Sequence, residues 1–176
     1  MATAITGRDS EEARAKHADY RRYVDHEGAL ALFSGWTGID LSRYALDEPL
    51  RYVETEAMRG ALAVFTSTER SRTWTVRQLA EHVAIGGRGP VLVGGPSEIA
   101  DALIAWVKDT DIDGFNLAYA VMPETFSDFV DVIVPELQRR GVYKHDYRAG
   151  TLREKLFGGG AQLPKSHPGA THRQGA

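Results

Sequence analysis

An α/β fold built on a parallel sheet is what this sequence predicts, on three observations. Asp113–Val121 is a run of apolar and aromatic residues between turn formers, the pattern of a strand covered on both faces. Val91-Leu92-Val93 is a second short apolar run, closed by Gly94-Gly95-Pro96. Segments of helical periodicity lie on either side of both, so helices and strands alternate as they do where parallel strands are joined by helical crossovers.

Taken in order, Ala4-Ile5-Thr6 is strand-like and runs directly into a helix cap. Asp9 with Glu12 three positions on is a capping carboxylate with a reciprocal acid, and Ala13, His17, Tyr20 and Val24 recur at helical spacing. The spacing predicts a helix over about residues 10 to 32. Gly28 and the wholly apolar Ala29–Phe33 leave its second half open between a helix and a buried strand end. Ser34-Gly35-Trp36-Thr37-Gly38-Ile39-Asp40-Leu41-Ser42 reads as a loop, with two glycines around a large aromatic. Leu46-Asp47-Glu48-Pro49 breaks regularity, and Glu54–Phe65 places Ala57, Met58, Ala61, Leu62 and Phe65 on one helical face.

Thr75-Val76-Arg77-Gln78 is a capping box that opens a helix through Leu79, Ala80 and Val83, stopped by Gly86-Gly87-Arg88-Gly89-Pro90. After Val91–Val93, Pro96 and Glu98 start another helix, with Ile99, Leu103, Trp106 and Val107 as its buried stripe. Pro123–Arg140 is a helix with Phe126, Phe129, Val130, Ile133 and Leu137 inside, kinked or restarted at Pro135. Thr151-Leu152-Arg153-Glu154 caps a last short helix that ends at Gly158, and residues 158–176 carry too little apolar surface to offset ordering, so a frayed tail is expected.

The 176 residues are 43% apolar and 26% charged, enough core-forming material for one domain of ordinary size. A net charge of -3 gives no general attraction to phosphate backbones or anionic lipid. With no cysteine there is no disulfide framework, thiolate cluster or cysteine nucleophile, and a reducing, cytoplasmic setting fits. The opening residues lack a basic region followed by a long apolar one, and charges interrupt every apolar stretch, so neither secretion nor a membrane span is expected. The six histidines show no metal-ligand spacing, and Ser10, Ser34 and Ser127 lack a nucleophile elbow. The glycine-rich stretches at 86–90 and 93–97 sit beside helices, where backbone amides can bind an anion, yet neither completes a phosphate-loop or dinucleotide fingerprint. Helix capping is the plainer role. Thr75–Ala84 superficially resembles the first helix of a DNA-binding helix-turn-helix, but Gly-Gly-Arg-Gly-Pro follows it in place of a second helix.

Seven segments, in order, carry a resemblance: Gly7–Ala13, Ser34–Ser42, Asp47-Glu48-Pro49-Leu50, Val93–Asp101, Asp113–Leu117, Val134–Gly141 and Thr151–Leu156. Together they resemble the C-terminal part of the bacterial-luciferase-like flavin-dependent monooxygenases, in the branch with nitrilotriacetate monooxygenase component A and dibenzothiophene-sulfone monooxygenase. The resemblance runs from about residue 5 to residue 167.

That resemblance implies a TIM (β/α)8 barrel with insertions. Such barrels take about 250 residues, so the chain matches roughly the last third of one: a partial barrel over 1–157, with an insertion region at about 34–75, and a flexible tail over 158–176. By resemblance, Ala4–Thr6 ends a mid-barrel strand and Phe115–Tyr119 is the last one. The implied chemistry is oxygenation of a small organic, sulfur- or nitrogen-containing substrate by dioxygen and reduced FMN. A separate flavin reductase supplies the flavin, whose main contacts lie in the barrel's N-terminal part. Barrel sites form at the C-terminal ends of strands, which selects Asn116, Tyr119, Met122 and Pro123. Trp36 and Thr37, between Gly35 and Gly38, offer a wall for flavin or substrate, and a structural turn with a packed tryptophan is the competing reading. No catalytic or metal-binding residue is assigned. Two further readings stay open, an inactive fragment and one piece of a split barrel completed by another chain that carries the missing N-terminal strands; that part or a homo-oligomer is the macromolecular partner considered beside the reductase.

Overall fold

A computed structural model of the chain describes residues 1–51, 59–68 and 73–172, in two compact units, Met1–Val142 and Tyr143–Ala176. In the first unit β1 (Ala2–Thr6), β2 (Val91–Gly94) and β3 (Leu117–Ala118) form a parallel sheet in the order β2-β1-β3. Ile5 pairs with Val93, and Thr3 with both Val91 and Ala118. β1 is buried along its whole length because it has a neighbour on each edge. The expected strand at 113–121 is corrected: only Leu117 and Ala118 pair, both half-buried, and Tyr119 is 57% exposed. Among the described residues β3 has β1 alone beside it, so its sequence pattern of double burial is not met. Successive strands of a barrel lie side by side, whereas here β1 stands between β2 and β3.

The expected helix over 10–32 is two helices. In α1 (Ser10–Arg21) Asp9 accepts from the Glu12 N–H at 2.9 Å, while the Glu12 carboxylate reaches back to the Arg8 N–H at 2.8 Å. A turn at Arg22–Val24 ends it, and Asp25 caps α2 (His26–Thr37). The open choice at Ala29–Phe33 therefore resolves to helix. Ser34–Thr37, expected in a loop, are the last turn of α2. The physical reason is its apolar face: Ala29, Leu30, Phe33 and Thr37 are all buried, and that burial outweighs the weak helix preference of Gly35. The residue that turns the chain is Gly38, at φ 69, whose N–H bonds the Ser34 carbonyl at 2.8 Å.

Two cores result. One gathers α2, α3 (Arg59–Ala63) with its wide-turn continuation Val64–Thr68, Trp74 and α4 (Val76–Gly86). Ala61, Leu62 and Phe65 are buried in it as the periodicity requires, while Glu54–Met58 of the same expected helix lie outside the described residues. Phe33, Phe65 and Trp74 meet edge to face at 5.9 and 5.1 Å. Leu50 N–H donates to the Trp74 carbonyl at 2.7 Å, tying the 46–50 segment to the start of α4. That start is the predicted capping box, with Thr75 and Gln78 bonded reciprocally. A strand follows α4 rather than a second helix, so the helix-turn-helix reading falls away. Gly89 is where backbone passes closest, since a Cβ there would collide with the Met1 carbonyl oxygen.

The second core lies on the sheet, where Ala4 meets Ile99, Ala100 and Leu103 of α5 (Pro96–Thr110) and Ile133 and Leu137 of the last long helix. Of the expected stripe on α5, Val107 is instead 42% exposed and Trp106 stacks on Phe115 at 5.7 Å. Helix 124–139 comes as α6 (Glu124–Asp128), a wide turn at Phe129–Ile133, and α7 (Val134–Arg139). Pro135 has no N–H to give, and the Val134 N–H reaches back five residues to Phe129 before the helix restarts.

Hydrogen bonds from Arg139 and Arg140 pull the Glu136 carboxyl down to about 2, and Arg140 also bonds Asp101 and Ser97 on α5. A carboxyl so depressed stabilises the fold above its ordinary value near 4.5 and loses that contribution as pH falls towards 2. Glu136→Gln is accordingly expected to lower stability at neutral pH and to flatten the acid limb between those values, so that the two proteins converge towards pH 2, as urea unfolding at a series of pH values would read.

In the second unit α8 (Leu152–Phe157) carries the predicted Thr151–Glu154 capping box and ends at Gly158, φ 64. Beyond it, Arg153 donates to the Gln162 carbonyl at 3.1 Å and Pro168–His172 makes a single tight turn. Residues 173–176 of the expected tail lie outside the described residues.

Candidate functional site

The C-terminal ends of β1 and β2 converge on two helix starts. Thr6 Oγ1 donates to the Gly94 carbonyl at 2.9 Å, and the Gly95 N–H is shared between Ser10 Oγ at 3.3 Å and Glu98 Oε2 at 3.0 Å. Ser10 Oγ–H in turn bonds Glu98 Oε2. The Ser10 hydrogen bond, then that of Gly95, holds the Glu98 carboxyl below its ordinary range. Both helix starts are thus filled by the chain's own acids, Asp9 on α1 and Glu98 on α5. A bound phosphate would have to displace a carboxylate and then sit beside it, so the plainer capping role holds at Gly94-Gly95.

Past β3 the chain turns through Ala120 and Val121, whose N–H groups donate to the buried Thr125 Oγ1 at 3.2 and 3.0 Å, and then through a cis Met122–Pro123 peptide. Beside this turn lies an open groove of about 430 Å³. Ala120, Val121, Tyr20, Tyr23, Leu32 and Val83–Ile85 are among the residues that line it. Most of its lining is apolar, with Asp25, Tyr20 and Tyr23 as its polar members, as suits a small organic molecule.

A polar network that sequence reasoning missed borders the groove. Lys16 Nζ contacts Asp128 at 2.6 Å and Glu124 at 3.5 Å, and Tyr20 Oη donates to Glu124 at 2.9 Å. Burial works against the Lys16 charge, but Asp128 and Glu124 outweigh it and hold the ammonium above its ordinary value. Burial and the Glu124 hydrogen bond push the Tyr20 phenol up, keeping it a neutral donor. The only sequence signal was Lys16 and Tyr20 one helical turn apart, which gives no hint of partners more than a hundred residues away.

The candidate residues do not converge. Trp36 is half-buried on α2, edge-on to Phe33 at 6.3 Å, with the Arg88 guanidinium 5.4 Å from its ring centre. Thr37 is wholly buried and its hydroxyl donates to the Phe33 carbonyl at 2.8 Å. Asn116 precedes β3 instead of following it, and its carbonyl accepts from the Ala2 N–H at 2.9 Å. Tyr119 does follow β3, with its ring edge-on to Phe126 at 5.8 Å, and Met122 is exposed. Tyr119, Met122 and Pro123 therefore share the β3 end, while Trp36 and Thr37 belong to the helical core. Among the described residues no group of three His, Asp or Glu side chains is placed to hold a metal, and no helix is long and apolar enough to cross a membrane.

No protein-family model matches the chain. Dimethyl-sulfide monooxygenase of Hyphomicrobium sulfonivorans is 47% identical over 174 residues, 98% of this chain and 36% of that protein. The crystal structure of DmoA from the same organism superposes on 97% of the chain with a TM-score of 0.81. This chain is a partial homologue of the bacterial-luciferase-like, FMN-dependent monooxygenases. Long-chain alkane monooxygenase of Geobacillus thermodenitrificans is 35% identical over 96% of the chain, and the crystal structure of long-chain alkane monooxygenase has a TM-score of 0.75. Nitrilotriacetate monooxygenase component A of Aminobacter aminovorans is 34% identical over 158 residues. The chain spans about a third of the length of each of these luciferase-like relatives, 34–36%. An FMN phosphate does not fit the helix starts at β1 and β2, where Asp9 and Glu98 already hold the amides.

Proposed function

We propose that this chain is part of a monooxygenase that uses reduced FMN, delivered by a separate flavin reductase, and dioxygen to oxygenate a small organic substrate. The observation that carries the reading is the 47% identity to dimethyl-sulfide monooxygenase along 98% of the chain. A small sulfur- or nitrogen-containing compound is the substrate class, and the groove beside β3 supports it through its size and apolar lining. In this reading the flavin phosphate is held by barrel strands outside these 176 residues. The chain's own part is a wall of the site: Val121 and Tyr20 exclude water, and the exposed face of Tyr119 meets flavin or substrate. Trp36 is a further candidate from the flank of α2, with Thr37 behind it and Asn116 at the opposite end of β3. The chain alone then has no independent catalysis.

The test is a titration with reduced FMN under anaerobic conditions, reading bound flavin by equilibrium dialysis. It is run on the chain alone and with a polypeptide carrying the first strands of a luciferase-like barrel. No saturation alone and saturable binding in the mixture is the expected result. Binding by the chain alone would overturn the assignment of the phosphate to other strands, and no binding in either arm would overturn the flavin reading.

A further inference from the structure

The Ser34–Ser42 segment carries part of the resemblance, yet none of it lines the groove beside β3. Ser34, Asp40, Leu41 and Ser42 instead line a separate open cleft of about 590 Å³. α2 and its cap separate the two. Asp25, Gly28, Ala29 and Leu32 belong to the groove, and Glu27, Leu30, Ala31 and Ser34 to the cleft. At about 3.6 residues per turn these two sets fall on opposite faces of the helix, so a molecule in one does not reach the other.

The make-up of the cleft is that of a small-molecule site. Leu30 and Leu41 are buried in its lining, and Tyr44 and Leu46, half-buried there, pack on the helical core, which gives apolar surface for a hydrocarbon tail. Its hydroxyls keep unused capacity. Ser34 Oγ accepts from the Leu41 N–H at 3.2 Å but has no acceptor for its own hydrogen among the described residues, and the Tyr44 phenol bonds none of them. Asp40 is already neutralised, since its carboxylate takes the Ser42 N–H and hydroxyl and, at 2.8 Å, the Arg43 guanidinium. His26 stands 3.8 Å from Glu81. Exposed Glu27 is therefore the uncompensated charge of the lining, for it makes no ion pair with a described residue.

We infer that this cleft is a second binding site, for a small organic cation with its ammonium head on Glu27 and its hydrocarbon tail against Leu30, Leu41 and Leu46. An ammonium offers three donors and no acceptor, which suits a cleft whose uncompensated charge is a carboxylate and whose Ser34 and Tyr44 oxygens can accept as well. A carboxylate or phosphate ligand would meet Glu27 with like charge. Neither flavin nor further barrel strands enter into this binding, so the chain itself suffices to test it.

Isothermal titration calorimetry with octylammonium, octanol and octanoate tests it, on the wild type and three single variants. The wild type is expected to bind octylammonium saturably, about tenfold more tightly than octanol, with octanoate weakest. Glu27→Gln removes the charge and is expected to bring octylammonium down to the affinity of octanol, leaving octanol itself unchanged. Ala31→Trp fills the cleft and is expected to weaken all three ligands. Leu32→Trp fills the groove on the opposite face of α2 and is expected to change none of them. All three positions are exposed, so circular dichroism and melting should stay those of the wild type. No saturation by octylammonium overturns the inference, and so do equal affinities for the three ligands. Loss of binding in Leu32→Trp with binding retained in Ala31→Trp would put the cation in the groove, where Asp25 is the carboxylate, and overturns it as well.

Discussion

Phe33→Ala is expected to cost about 3–5 kcal/mol of unfolding free energy, as truncation of a fully buried aromatic does. Domain stability as a whole is about 5–15 kcal/mol, so about a fifth or more of it rests on this ring. Phe33 is wholly buried on the inner face of α2 and is the first of the edge-to-face rings that run through Phe65 to Trp74. The ring is hard to replace by collapse. Trp74 is held by its backbone bond to Leu50, and α4 is fixed at its start by the Thr75–Gln78 box, so the walls of the cavity cannot close freely. Phe33→Leu keeps most of the volume and is expected to cost less than half as much. Urea unfolding followed by tryptophan fluorescence reads both. A loss under about 1 kcal/mol for the alanine variant would mean that the α2–α4 cluster is not a packed core.

Lys16→Met is the second large effect, expected at about 1–3 kcal/mol. The lysine side chain is 20% exposed and Asp128 25%, so the pair is partly screened and falls below the range for a fully buried ion pair. Removing the ammonium leaves Glu124 and Asp128 facing each other one helical turn apart, with Tyr20 as the one remaining donor to Glu124. The penalty is therefore chiefly uncompensated carboxylate. Two consequences separate it from lost packing. Lys16→Met/Asp128→Leu should recover most of the loss, because both charges go together. The single variant should also regain stability as pH falls through the carboxylate range, where the wild type does not. In the wild type the raised lysine value means its contribution is complete below the ordinary value of 10.5 and is lost as pH rises through the raised one. Melting temperatures of the three proteins from pH 4 to pH 8 decide it, and a double variant no better than the single one would show that Lys16 acts through its methylenes.

The two variants differ in how far the sequence pointed to them. Phe33 lay in an apolar run whose burial was plain, though helix and strand were equally open there. The Lys16 network was invisible, because nothing in local spacing joins residue 16 to residues 124 and 128. Trp36 and Thr37 show the same limit from the other side. Two glycines around an aromatic suggested a loop, but α2 is held by its buried face against α4, and only Gly38 takes the left-handed conformation that turns the chain. Asn116 and Tyr119 were separated from each other by a strand only two residues long, too short for the pattern of a nine-residue apolar run to reveal.

What the sequence determined by itself are the features whose energetics are local. Capping boxes at Thr75 and Thr151, the carboxylate cap at Asp9 and the stops at Gly86–Pro90 and Gly158 depend on hydrogen bonds within a few residues, and each stands where the residue types place it. The ordered motifs also sufficed for the family, because they carry the imprint of a whole fold in residue identities. Only the tertiary structure decided what depends on distant partners. β1 lies between β2 and β3, β3 is short and half-exposed because it borders β1 alone among the described residues, and Asp9 and Glu98 close the helix starts that glycine composition left open. Strand order, the depth of burial and the pairing of charges are set by which surfaces meet after the chain has folded, and a one-dimensional pattern fixes the period of each element but not its neighbour.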